Sequence, residues 1–344
     1  MLLKELSEAF GVSGHEDAVR ELILTTIQDL VDEHRVDTLG NLIALKKGKG
    51  RSPRKVMIAA HMDEVGLMIM HIEKDGSLRF QAVGGIDSRI LLAKKVLIGD
   101  DRVPGVIGIT PIHLLDTKAR NQVLKIRDLT IDIGVSSKEE AEKKVKIGDY
   151  ATFDVAFGEL GGELRTAKGK AIDDRAGCAA LIELLNERYP FDLYAVFTVQ
   201  EEVGARGARA AAHAIAPDVA FVLEGTICDD MPKKRDLSPT TALGAGPAIT
   251  LMDRSMIADQ RLVRLLADTA EKKGIAHQFK QPGRGGTDAG VIHLSREGVP
   301  SAVVSVPVRN LHSPVSLLSL NDLDGAVRLM RESLNRLPKL DLSR

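Results

Sequence analysis

His61 and Asp63, Asp173-Asp174, Glu201-Glu202, Glu224 and His312 are the residues whose types and spacing invite chemistry. Imidazole nitrogens and carboxylate oxygens form a mixed donor set that suits two divalent ions of the zinc, cobalt or manganese type. Asp63 follows His61 by two residues, and a metal-bound imidazole usually has its other nitrogen held by a carboxylate. The Glu201-Glu202 doublet lets one carboxylate bind a metal while its neighbour moves a proton. Each position also has a plain structural explanation. Asp173-Asp174 can place charge at a helix N-terminus, Glu201, Glu202 and Glu224 can be solvated strand ends, and His312 can be an ordinary loop residue.

The elements that must position these residues are legible. KVMIAA, residues 55–60, reads as a buried strand because its apolar residues run nearly without alternation, and it delivers His61 and Asp63. A strand over 192–199 runs into Glu201-Glu202, and VAFVL at 219–223 runs into Glu224. SAVVSV at 301–306 leads to Arg309-Asn310-Leu311-His312. Asp173-Asp174 open a helix over 173–187, and further helices are expected over 205–214, 258–274, 288–296 and 321–335. In open α/β sheets, ligands bind beyond the carboxyl ends of strands, which is where these side chains fall. Near the start, Ser13 and Glu16 have the spacing of a capping box before an amphipathic helix. Residues 68–163 differ in texture, with short β-prone pieces between Gly, Asp and Lys turns and a single helical segment, SSKEEAEKKV. The expectation is a three-layer α/β domain, residues 1–67 and 164–344, with a mixed, mostly parallel sheet and helices on both faces. A small β-rich domain, 68–163, is inserted.

Length and composition narrow the function classes. The chain has 344 residues, 44% hydrophobic and 28% charged, enough for a large core in an ordinary globular protein. A formal net charge of -1 argues against a general nucleic-acid or anionic-membrane surface. No apolar run reaches the roughly 18 residues of a membrane span, and MLLKELSEAFG reads as a helix rather than a signal peptide. Cys178 and Cys228 form no CxxC pair and are expected to be reduced thiols in a cytoplasmic protein. With no Trp, three Tyr and eight Phe, the core must be built from Leu, Ile, Val, Ala and Met.

HMDEVG, KGKAIDDRAGCA, TVQEEVGARGA, the EGT at 224–226, GRGGTDAG and RNLHSP together resemble the cocatalytic metallo-aminopeptidases of the M42 family, the tetrahedral, self-compartmentalising peptidases related to glutamyl aminopeptidase. The resemblance covers essentially the whole chain, including the insertion. It implies that Asp173 bridges two metals, that His61 and Glu224 complete one and Glu202 and His312 the other. It further implies Glu201 as general base, Asp63 as the residue orienting His61, peptide substrates, and a homo-oligomer, a dimer-based dodecamer whose inserted domain makes dimer contacts. Zinc or cobalt is the implied metal, with manganese as a further option. Glu224 departs from the pattern, since family members commonly carry aspartate there, and its extra methylene alters the reach of that ligand.

Other readings stay open at this point. A metal-dependent carboxypeptidase or N-acyl deacylase would use the same core, and free-amine dependence separates them from an aminopeptidase. A non-catalytic, metal-stabilised protein would gain nothing from an unligated Glu201, and a simple glycosidase pair would not need the histidines. GRGGTDAG lacks the ending of a phosphate loop; its glycines allow close backbone approach, and Asp288 is a candidate for holding a substrate amine. Arg309, near His312, is a candidate for meeting a substrate carboxylate or for pairing with a structural acid.

Overall fold

The structure, a computed structural model, describes residues 2–50, 52–114, 122–231, 240–283 and 285–343. The first strands are β1 (Glu33–Val36), β2 (Leu42–Lys46) and β3 (Lys55–His61). Every residue of β3 after Lys55 is buried, as a strand covered on both faces requires.

Six strands then close a small barrel: β4 (Gly66–Ile72), β5 (Leu78–Val83), β6 (Lys95–Ile98), β7 (Val103–Gly108), β8 (Thr130–Asp132) and β9 (Tyr150–Phe153). Leu67, Ile69, Leu78, Phe80, Ile98 and Ile131 belong to a core of its own, separate from the main one.

The chain returns to the large sheet with β10 (Gly158–Gly161), β11 (Thr166–Gly169), β12 (Asp192–Thr198), β13 (Val219–Ile227), β14 (Ala248–Thr250), β15 (Gln278–Lys280), β16 (Ser301–Arg309) and β17 (Ser316–Ser319). Because β10 pairs with β11 in that sheet, the expected insert 68–163 takes in a strand that the barrel does not contain. The order is β1-β2-β12-β3-β13-β16-β17-β11-β10, with β14 and β15 branching from β16. The centre, β12-β3-β13-β16, is parallel, and both wings are antiparallel.

The helices are α1 (Leu2–Glu8), α2 (Asp17–Ile27), α3 (Lys138–Glu142) in the inserted segment, α4 (Ile172–Leu184), α5 (Arg206–Ile215), α6 (Gln260–Lys273), α7 (Ala289–Ile292) and α8 (Leu320–Arg336). One group joins α4 to α1 and α8 over β3, β13 and β16, while α5 and α7 pack on each other and on β12, β13 and β16. This is the three-layer α/β arrangement with an inserted barrel. The helix expected over 288–296 shrinks to the single turn of α7.

The capping box does not form. Glu16 occupies the N-cap position of α2 without a side-chain cap bond. Ser13 Oγ instead donates to Asp63 Oδ2 at 2.6 Å, and Glu16 Oε1 accepts from the backbone of Gly14 and Gln200. The helix begins only at Asp17 with Glu16 as its N-cap, so Ser13 lies outside the cap, and its hydroxyl proton goes to a charged, buried acceptor, a strong hydrogen bond. Cys178 and Cys228 are both free and buried. Among the described residues no helix is long and apolar enough to cross a membrane.

Candidate metal centre

The parallel centre of the sheet brings the predicted ligands to one place. His61 ends β3, and its Nε2 lies 3.2 Å from Asp173 Oδ1 and 3.1 Å from Glu224 Oε1, the latter carried by β13. His312 follows β16, and its Nε2 lies 3.5 Å from Asp173 Oδ2 and 3.3 Å from Glu202 Oε2. The two oxygens of Asp173 thus face different histidines. Two groups of three ligating side chains lie within 4.8 Å, His61-Asp173-Glu202 and His61-Asp174-Glu224. Asp174 is the member that motif reading left to a helix end. Its Oδ2 accepts from the His61 backbone at 3.1 Å and its Oδ1 from Gly177 at 2.9 Å, so it fixes the end of β3.

Local backbone geometry separates neighbouring carboxylates. At the start of α4, Asp173 (φ -84°, ψ 106°) and Asp174 (φ -122°, ψ 40°) leave helical geometry, and their side chains take different partners. Gln200 is left-handed (φ 57°) just before the glutamate doublet, and His312 is left-handed as well (φ 54°). Such conformations persist only where surrounding contacts enforce them and cluster at functional sites.

Asp63 supplies much of that enforcement. It is fully buried, and its Oδ1 accepts from the Glu201 backbone at 2.9 Å while Oδ2 accepts from the Glu202 backbone at 3.1 Å. Oδ1 also lies 3.4 Å from His61 Nδ1. Burial alone would raise its pKa, but hydrogen bonds from His61, Ser13 and the Glu201 N–H hold it below the ordinary value, so it remains an acceptor. One residue therefore pins the doublet through its carboxylate and stands beside His61, whose Nδ1 lies 3.1 Å from the Asp63 main-chain carbonyl. Asp63→Asn turns one of these oxygens into a donor facing donors, and we expect metal affinity to fall about 10–100-fold, read by calorimetric titration of the metal-free protein.

Burial and mutual repulsion raise the other acids. Glu202 is pushed up to about 7, and Glu201 and Glu224 rise well above the carboxylate range for the same leading reason, burial. Burial opposes protonation of the histidines, yet Glu224 and Asp173 raise His61 well above its usual value, and Asp173 and Glu202 bring His312 to about 9. Asp173 goes the other way, held far below the ordinary range by both histidines against the effect of burial. Glu224 Oε2 is buried with no hydrogen-bond partner. A buried, orphaned oxygen among crowded carboxylates and imidazoles is what a cation would satisfy. The donor set fits divalent ions.

Asp173, Glu201, Glu202, Glu224 and His312 line one cleft of about 790 Å³. Glu201 belongs to neither ligand group. The barrel contributes here too: the Gly85 carbonyl lies 3.1 Å from His312 Nδ1, and Asp87 and Arg89 line the cleft.

A family model described as M42 glutamyl aminopeptidase matches residues 40–329. The chain belongs to the M42 family. It is 38% identical over 351 residues to the lysyl aminopeptidase of Pyrococcus furiosus, covering 99% of this chain and 98% of that one. The crystal structure of a TET aminopeptidase from the marine sediment archaeon Thaumarchaeota archaeon SCGC AB-539-E09 superposes with a TM-score of 0.93 at 40% identity, over 98% of this chain and 96% of that one. The TET1 peptidase of Pyrococcus horikoshii, described as assembling into a tetrahedron or a large octahedral shell, gives a TM-score of 0.85 at 38% identity, over 96% and 97%. With two ligand groups in place, this M42 chain is a metal-dependent aminopeptidase.

Two residues named as candidates for substrate contact have protein partners in this M42 site. Arg309 is engaged by Asp230, its Nε and Nη2 donating at 2.6 and 2.7 Å, so it is a structural partner and not a free group for substrate. Asp288 is buried and accepts from Thr198 Oγ1 at 2.5 Å; it does not line the cleft. Arg284 of GRGGTDAG lies outside the described residues. Motif reading also missed Glu64. Its Oε1 accepts from Lys170 Nζ at 2.6 Å and from the Gly11 backbone at 3.1 Å, and it faces Arg175 Nη2 at 3.4 Å. Its Oε2 accepts from Thr152 on β9 at 3.2 Å. The only available signal was its place in HMDE.

Proposed function

We propose that this M42 peptidase removes N-terminal residues from peptides with Glu201 as the general base, Asp63 as the residue orienting His61, and Asp173 shared between two metal positions. His61 and Glu224 complete one position, and Glu202 and His312 the other. Divalent ions bound there supply Lewis acidity, lowering the pKa of water and polarising the scissile carbonyl. Glu201 takes the proton from the attacking water and delivers it to the departing amine. The observation that carries this reading is that Glu201 lines the cleft beside both ligand groups yet belongs to neither. Its raised pKa, caused by burial and sharpened by Asp288, Glu202 and Asp63, suits a group that must hold a proton between two transfers.

The ions we propose are zinc or cobalt, with manganese as the third candidate, because two imidazoles among carboxylates suit all three. We take residues 1–67 and 164–344 as the catalytic domain and 68–163 as the insert that mediates assembly, in a cytoplasmic homo-oligomer built from dimers into a dodecamer. The named assemblies of the Pyrococcus horikoshii relative support that reading.

Purified protein is stripped with chelator, reloaded separately with zinc, cobalt or manganese, and offered peptides with free and N-acetylated ends. The expected result is metal-dependent release from free N-termini only. Cleavage of acetylated peptides would instead identify a deacylase, and release from the C-terminus a carboxypeptidase.

A further inference from the structure

We propose that Glu16 is a positioning residue for the reaction: its carboxylate holds the turn that carries Glu201 and so fixes where the general base stands. The proposal rests on the reading of Glu201 given above. Strand β12 ends at Thr198, and the next four residues finish in the glutamate doublet. Each of their main-chain N–H groups donates to a side chain. Val199 donates to Asn41 Oδ1 at 3.0 Å, Gln200 to Glu16 Oε1 at 3.1 Å, and Glu201 and Glu202 to the two oxygens of Asp63 at 2.9 and 3.1 Å. These acceptors come from three separate segments: the loop before α2, the residue before β2 and the end of β3.

Glu16 serves the position that most needs a partner. Gln200 is left-handed (φ 57°), a conformation that a residue with a side chain keeps only where its surroundings over-determine it. Its N–H meets Glu16, and its carbonyl accepts from the Arg206 N–H at 3.2 Å. Glu16 is fixed in turn. The same Oε1 accepts from the Gly14 N–H at 2.7 Å, Ser13 beside it donates to Asp63, and His15 stacks on Tyr150 of β9 with ring centroids 5.3 Å apart. Glu16 makes no cap bond to the helix it precedes, so its oxygen is left for this turn. Burial raises its pKa to about 6, the mark of a carboxylate kept from water.

The two members of the doublet depend on this turn to different degrees. The Glu202 carboxylate faces His312 at 3.3 Å and keeps that partner if the turn shifts. The Glu201 carboxylate makes no hydrogen bond among the described residues, so its main chain alone sets its place. Removing the Glu16 acceptor leaves the Gln200 N–H without its partner, and the turn relaxes out of the left-handed conformation. The next residue is Glu201, and its carboxylate moves with it. A misplacement of about 1 Å is enough to cost a reacting group as much as 10²-fold in rate. Proton transfer therefore suffers while the metal ligands stay in place.

The test compares metal-loaded wild type with Glu16→Ala, Glu16→Asp and Glu16→Gln on the unblocked peptide that the wild type cleaves fastest. Glu16→Ala should lower kcat by about 10–100-fold while KM and metal content hold. Glu16→Asp draws the acceptor back by one methylene and should fall in the same direction. Glu16→Gln keeps a carbonyl oxygen at the same reach and should restore kcat. Independently of turnover, hydrogen exchange read by mass spectrometry should quicken over residues 199–202 in Glu16→Ala and return to the wild-type rate in Glu16→Gln. Wild-type kcat in both shortened variants, unchanged exchange over 199–202, a loss in Glu16→Gln equal to that in Glu16→Ala, or loss of metal matching the loss of kcat each overturns the proposal. If Glu16→Ala does not fold, Glu16→Asp and Glu16→Gln decide on the same two readouts. Wild-type kcat in the shortened variants beside an inactive Glu201→Gln would sink this assignment alone, whereas full activity in Glu201→Gln would sink the reading of the general base with it.

Discussion

Glu201→Gln lowers kcat by about 10²–10⁴-fold with little change in metal content. The amide keeps the shape of the side chain but cannot accept the proton of the attacking water. Metal content is preserved because Glu201 is outside both ligand groups. The backbone is preserved because the doublet is held through its main-chain N–H groups by Asp63, which the substitution leaves untouched. Elemental analysis beside steady-state kinetics checks both halves. Loss of metal together with activity would make Glu201 a ligand and remove the proton-shuttle role from it. Substitution of Glu202, by contrast, should lose metal, because its carboxylate faces His312 and belongs to a ligand group.

Glu64→Gln destabilises the fold by about 3–5 kcal/mol, the cost of removing one partner from a buried ionic cluster. Lys170 and Arg175 are both buried, and Glu64 is the carboxylate that both face. The same side chain ties the barrel strand β9, through Thr152, to the loop after α1, through Gly11. Denaturant titration reads the loss, and an unchanged midpoint would show that the cluster contributes little. The cluster also sets a pH dependence. Burial pulls Lys170 down to about 8 from an ordinary 10.5, despite Glu64. Between those values the unfolded chain binds a proton that the folded chain does not, so Lys170 makes stability rise with pH across that window. Below about 8 both states carry the proton and the contribution is flat, at its least favourable. Glu64→Gln should move the lower edge of the window down.

Much of the centre was legible because strand ends advertise themselves. The apolar runs before His61, Glu201, Glu224 and His312 became β3, β12, β13 and β16, with small shifts of boundary. Apolar burial on both faces of a parallel strand leaves an unbroken signal in the sequence. The partnerships made by these residues left no such signal. Ser13 had the spacing of a cap, but its hydrogen bond goes to Asp63, 50 residues away. Arg309 stood next to the site in sequence and is taken up by Asp230, 79 residues away. Strands β14 and β15 have three residues each, too short for periodicity, so the cleft wall at Lys280 was invisible. Barrel closure likewise depends on pairings such as Leu67 with Ala151, which no local pattern encodes.

The strand order of the sheet centre has a consequence for how the molecule comes into being. β3 pairs with β12 and β13, and β13 pairs with β16, so Lys55 meets Asp192 and Ala220 meets Ser301. Each such pairing closes a long loop before it is rewarded, which makes assembly of the centre slow. His61 emerges early from the ribosome, but Asp173, Glu202, Glu224 and His312 reach it only as these later segments dock. The full set of donors therefore exists only in the finished fold. Ions that bind only the native chain would shift its folding balance by mass action, about 2.7 kcal/mol at a hundred times the dissociation constant. A nascent chain that has not yet added β16 lacks His312 and the contacts its ring makes with Asp173 and Glu202.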